Sequence, residues 1–98
     1  MTTNYIEATL LNRNNKTRSN LKFKVNDETL NAFTLHGIKL DIYIFDQLVI
    51  LYAYNNKEDN IASANFETRL IPQGYKDAFR IITNKIIEYN KNQEPEGS

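Results

Sequence analysis

The sequence has no cysteine and no tryptophan, one histidine, two prolines and three glycines in 98 residues. Without cysteine there are no disulfides, no thiolate nucleophile and no Cys-ligated zinc, and the redox compartment stays open. His36 has no second imidazole with which to build a metal site. It immediately precedes Gly37, where a cap at a helix end or a surface position is reason enough for it. Gly37, Gly74 and Gly97 are too scattered for a phosphate-binding glycine loop. Met1-Thr2-Thr3-Asn4 lacks the basic and apolar stretches of a secretory signal, and no apolar run reaches the roughly 20 residues that span a bilayer. The sequon Asn15-Lys16-Thr17 therefore carries no weight, and the expected location is the cytoplasm. No catalytic set, cofactor, metal or membrane contact is expected.

What is present is a series of short apolar patterns that suit one domain of this length. Tyr5 to Leu11 reads as a strand, and residues 12–20 form a polar stretch without an apolar side chain, expected as a loop. Leu21-Lys22-Phe23-Lys24-Val25 alternates strictly, which predicts a half-buried strand with the lysines outward. Asn26 or Asp27 can cap a short helix that carries Leu30 and Phe33 on one face. Gly37 then fits a left-handed C-terminal cap, with Ile38 folding back towards Phe33. Ile38 to Phe45 is the clearest strand, with Ile38, Leu40, Ile42 and Ile44 on one face. Asp46-Gln47 is a tight turn, Leu48 to Tyr54 is apolar on both faces, and Ala62 to Ile71 is a fifth strand ended by Pro72. Tyr75, Ala78, Phe79, Ile82, Ile86 and Tyr89 recur at helical spacing and predict a long helix to Asn90. The expected fold is α+β: one antiparallel sheet of about five strands in the order β-β-α-β-β-β-α, with the long C-terminal helix on one face. Residues 1–90 form the domain and 91–98 a flexible polar tail.

The charges balance, with 12 Lys+Arg against 12 Asp+Glu, and this argues against a general nucleic-acid coat. Their placement is uneven. Arg13, Lys16, Arg18, Lys22 and Lys24 follow one another with no acid between them, and acids outnumber cations in the rest of the chain. These five residues are the candidate contacts for a nucleic acid or an acidic partner, with Tyr5 or Tyr43 available for base stacking. They also suit a solvated hairpin that discourages edge pairing. The second imbalance is apolar. With the Ile38–Ile44 set facing the helices, Tyr43, Phe45, Val49, Leu51 and Phe66 are expected on the other face. That face is then covered by the first hairpin folding over it, or by another subunit. Tyr43, Phe45, Val49 and Leu51 are the candidate protein interface, and a homodimer or protein partner is expected.

The carboxylates are scattered, and only Asp41 and Glu67 are candidates to meet across strands as an acid/base pair. Gly37-Ile38-Lys39-Leu40, Ile44-Phe45-Asp46-Gln47 and Val49-Ile50-Leu51 resemble a fragment of the Sm-like RNA chaperones across residues 37–51. The spacing from Leu40 to the Phe-Asp pair is too short for that family's bent strand. No second motif follows, and the long helix is C-terminal here, so no residue role is carried over. The expectation is a small non-enzymatic binding protein acting through a sheet or hairpin surface. The Asn-, Ile- and Lys-rich composition suggests a bacterial or phage accessory protein, and a nucleic-acid-binding module using residues 13–24 is the second reading.

Overall fold

The computed structural model describes residues 4–92. Its elements are β1 (Tyr5–Asn12), β2 (Thr17–Lys24), α1 (Asp27–Leu35), β3 (Lys39–Phe45), β4 (Leu48–Tyr54), β5 (Asn60–Glu67), a short 3-10 turn (Thr68–Leu70) and α2 (Gln73–Asn92). The five strands form one sheet in the spatial order β2-β1-β3-β4-β5. No helix among the described residues is long and apolar enough to cross a membrane.

The sheet is mixed, and this corrects the purely antiparallel expectation. β1 and β3 run parallel, with Ala8 beside Leu40 and Leu10 beside Ile42, while the other three pairs are antiparallel. β2 takes the outer side of β1, and α1 then carries the chain across the sheet, so β3 enters on the free side of β1 in the same direction. A period of two tells which residues share a face but not which way a strand runs, and the pattern was silent on this point.

Several boundaries also move. β2 begins at Thr17, so most of the polar stretch read as loop is strand, and the hairpin loop shrinks to residues 13–16. Side chains of asparagine build that loop. Asn12 Oδ1 accepts from the N–H of Asn14 at 3.0 Å, and Asn15 Oδ1 accepts from the N–H of Thr17 at 3.2 Å. β5 ends at Glu67 rather than Ile71, because the 3-10 turn intervenes before Pro72. α2 continues through Asn92, so the expected polar tail loses residues 91–92 to the helix and otherwise lies outside the described residues.

The ends of α1 are as its sequence requires. Asn26 Oδ1 accepts from the N–H of Thr29 at 2.8 Å. At the other end Gly37, at φ +61, donates to Thr34, and Ile38 donates to Phe33 at 2.8 Å, closing a left-handed cap that folds Ile38 back. His36 is the C-cap residue.

The core lies between the sheet and both helices. Across the sheet, Leu10, Ile42, Leu51 and Ala64 form one row, flanked by Ala8, Leu40, Ala53 and Ala62. Ala78, Ile82 and Ile86 of α2 close over them. The alanines of β4 and β5 let α2 approach closely, and Gly74 sits so near Phe66 that an added Cβ would run into its ring. Phe79 stacks on Phe23 at a centroid distance of 4.7 Å, and Tyr75 meets Phe66 edge-on at 5.1 Å. Asn90 donates to the Ala32 carbonyl at 3.2 Å and so fastens α2 to α1.

Candidate functional site

The helices cover one face of the sheet, and the first hairpin lies in the plane of the sheet rather than over its second face. Among the described residues nothing covers the second face, and its composition follows from the register. Arg18, Leu11, Tyr43, Ile50 and Asn65 form one row across all five strands. Asn20, Thr9, Asp41, Tyr52 and Ser63 form the next. Lys39 and Tyr54 lie at one end of β3 and β4, Phe45 and Leu48 at the other.

Tyr43 and Phe45 are where the sequence placed them, on the face opposite Leu40 and Ile42, and Phe45 is 62% exposed. Val49, Leu51 and Phe66 are not. Val49 and Leu51 are fully buried beneath α2, and Phe66 packs against Tyr75. The turn explains the correction. Asp46 and Gln47 are its only two residues, so Phe45 pairs with Leu48, and the odd residues of β3 share a face with the even residues of β4. The side chains that join Tyr43 and Phe45 are Leu48, Ile50, Tyr52 and Tyr54, all partly exposed.

These tyrosines form a connected group. Tyr43 meets Tyr52 at a centroid distance of 5.6 Å and an interplanar angle of 72°, and Tyr52 meets Tyr54 at 6.2 Å. Burial, then the neighbouring Tyr43, Asp41 and Tyr52, holds the Tyr54 hydroxyl above the ordinary tyrosine range. Tyr43 is the pivot of the face. It lines a shallow depression with Arg13, Phe45, Ile50, Tyr52 and Tyr54, and a second one with Leu11, Arg13, Lys16 and Arg18.

The structure thus brings Arg13, Lys16 and Arg18 to the aromatic group. Arg13 donates its backbone N–H to Ile44 at 2.8 Å, which continues β1 alongside β3 and sets Arg13 beside Phe45. Asn14 locks this end: its Nδ2 donates to the Asp46 carbonyl at 2.9 Å, and its Oδ1 accepts from the Asp46 N–H at 2.7 Å. Asp46 itself is at φ 57 in the turn. Lys22 and Lys24 also point to the open face, but four and six residues along β2 from Arg18, roughly 13 and 20 Å away. There Lys22 is paired in register with Glu7, and Lys24 with Tyr5. Among the described residues none of the five cations forms a salt bridge, and the two present are Arg69–Glu67 and Arg80–Asp77.

Asp41 and Glu67 do not meet. Asp41 is opposite Tyr52 and Glu67 opposite Leu48, four residues apart on β4, or roughly 13 Å along the sheet before two strand widths are added. Arg69 holds Glu67 instead, at 3.1 Å, and lowers its carboxyl below the usual range. Among the described residues no three His, Asp or Glu side chains converge as metal ligands.

The residues that sequence reasoning missed are Ile50, Tyr52 and Tyr54, which the two-residue turn would have placed, and Asn14, for which the sequence holds no signal beyond the local abundance of asparagine. The chain matches no protein-family model, no curated protein and no solved structure.

Proposed function

We propose that this chain is a non-enzymatic binding protein, working in the cytoplasm, whose recognition surface is the open face of the sheet. One observation carries the proposal: a connected group of three tyrosines with Phe45 and Ile50 is left without a covering layer, while the opposite face of the same strands is sealed. Tyrosine suits such a surface, since its ring supplies contact area and its hydroxyl stays wet until a partner arrives. The Asn14 clip and the strand ladder fix the backbone that carries the group, which reduces the ordering needed on binding.

The test is comparative. The wild-type chain, Tyr43→Ala/Phe45→Ser on the open face and Lys85→Ala/Glu88→Ala on α2 are each assayed for self-association, oligonucleotide binding and poly-glutamate binding. The expected result is at least one interaction that the open-face variant loses and the helix variant keeps. An interaction untouched by the open-face variant, or no interaction in any arm, overturns the proposal.

A further inference from the structure

The open face is where the uneven charge of this chain becomes a surface property. Arg13, Arg18, Lys22, Lys24 and Lys39 belong to it by strand parity, and Lys16 sits at its hairpin turn. The acids of the same strands on this face are Glu7, Asp41 and Glu67, of which Glu67 is already engaged by Arg69, and Asp46 sits in the β3–β4 turn beside the hairpin loop, so six cations face four acids. A chain with no formal net charge therefore presents a cationic face, while Asp27, Glu28, Glu58, Asp59, Asp77 and Glu88 lie on the helices and the far turn.

That charge decides among the occupants. A second copy docked through the same face would set cations against cations, since a two-fold interface brings each patch against itself. A polyanion has the complementary sign. The aromatic group then narrows the kind of polyanion. A run of acidic residues satisfies Arg13, Lys16 and Arg18 but carries no ring of its own to stack on Tyr43, Tyr52 and Tyr54. A nucleic acid offers both, and only a single strand can lay unstacked bases on a flat sheet face.

Resting on the open-face reading, we infer that the occupant is single-stranded nucleic acid, with its phosphates along Arg13, Lys16 and Arg18 and two or three bases on Tyr43, Tyr52 and Tyr54. The strand order gives this arrangement its polarity. The cations come from the β1–β2 side and the rings from β3 and β4, so the backbone lies over the hairpin and the bases reach inward. Asp41, between the tyrosines in register with Tyr52, repels phosphate from the aromatic floor and keeps the two tracks apart. Its carboxylate can accept a hydrogen bond from a base amino group, which favours adenine, cytosine or guanine over thymine or uracil at that place.

Fluorescence anisotropy tests this with a labelled 12-nucleotide strand as DNA and as RNA, the matching duplex, and poly-glutamate as competitor, at several salt concentrations. The variants are Tyr43→Ala/Tyr52→Ala and, because half-buried tyrosines contribute to folding, the exposed pair Arg13→Ala/Arg18→Ala, each checked by circular dichroism. The expected result is single-strand binding at least tenfold tighter than duplex binding, with log K falling against log salt at a slope of about −2 for three phosphates. The arginine variant removes two of the three phosphate contacts and should flatten that slope by about 1.4, and the tyrosine variant should weaken binding tenfold or more at an unchanged slope. Equal affinity for duplex and single strand, or full affinity in the tyrosine variant, overturns the inference. Poly-glutamate binding that both variants lose, with no oligonucleotide binding, overturns it while leaving the open-face reading intact. Oligonucleotide binding indifferent to both variants overturns the two together.

Discussion

β3 carries two different surfaces on its two sides. Towards the helices it shows Leu40 and Ile42, which are buried, and Ile44, which packs partly buried against the same core. Towards solvent it shows Asp41, Tyr43 and Phe45, which are partly or fully exposed and have no cover among the described residues. The sealed side is built from aliphatic groups that gain only by leaving water. Beside Leu11, Phe45, Leu48 and Ile50, the large side chains on the central part of the open side are tyrosines, whose hydroxyls keep a reason to stay wet. An uncovered sheet face is therefore tolerated here because of what its apolar surface is made of, and the same chemistry leaves it ready for a partner.

The sharpest break of this comparison is a pair of neighbouring substitutions on β4. Leu51→Ala, beneath α2, should cost about 2 to 5 kcal/mol in chemical denaturation. Ile50→Thr, one residue away on the open face, should cost about 1 kcal/mol or less. Equal costs would mean that the open face is covered in solution. Next in size is Gly74→Ala. Its added methyl would press into the ring of Phe66 and should cost about 1 to 3 kcal/mol, read as a lowered melting temperature. Asn14→Ala removes two hydrogen bonds to the backbone of Asp46 and should cost about 1 kcal/mol, with weaker ligand binding because Arg13 loses its fixed place beside Tyr43.

The smallest effect is one of pH. Burial holds the Tyr75 hydroxyl above the ordinary tyrosine range, so the folded chain keeps that proton where the unfolded chain releases it. The contribution is fully present below about pH 10 and is lost as pH rises through the folded-state value. Thermal melts between about pH 8 and 11 should show a decline that Tyr75→Phe reduces. Tyr54 is shifted in the same direction but lies on the open face, where solvent screens the effect. A decline unchanged in Tyr75→Phe would place the cause elsewhere.

The elements and their order were legible in the sequence, and so was the cap at Gly37 with Ile38 folded back on Phe33, because each rests on local patterns. The amphipathic α2 was legible too, its stripe of Ala78, Ile82 and Ile86 being the buried one. What was not legible depends on pairing. The direction of β1 beside β3 leaves no mark in an alternating pattern. Two apolar faces on Leu48 to Tyr54 gave no hint of which face α2 would take, and only the length of the Asp46-Gln47 turn resolves it. The hairpin cations were evident from composition. That Arg13, Lys16 and Arg18 stand beside Tyr43 while Lys22 and Lys24 stand far along β2 required the register.

The parallel contact between β1 and β3 also bears on how the molecule assembles. The β1–β2 hairpin and the β3–β4–β5 meander each pair strands that are close in sequence, whereas joining Ala8 to Leu40 closes a loop of roughly thirty residues. A contact of that span has a larger loop to close than any within the hairpin or the meander. The hairpin holds the cations and the meander holds the tyrosines, so the recognition surface straddles the seam between two locally paired halves. It comes into existence only when β1 and β3 join, and neither half of the chain carries it alone.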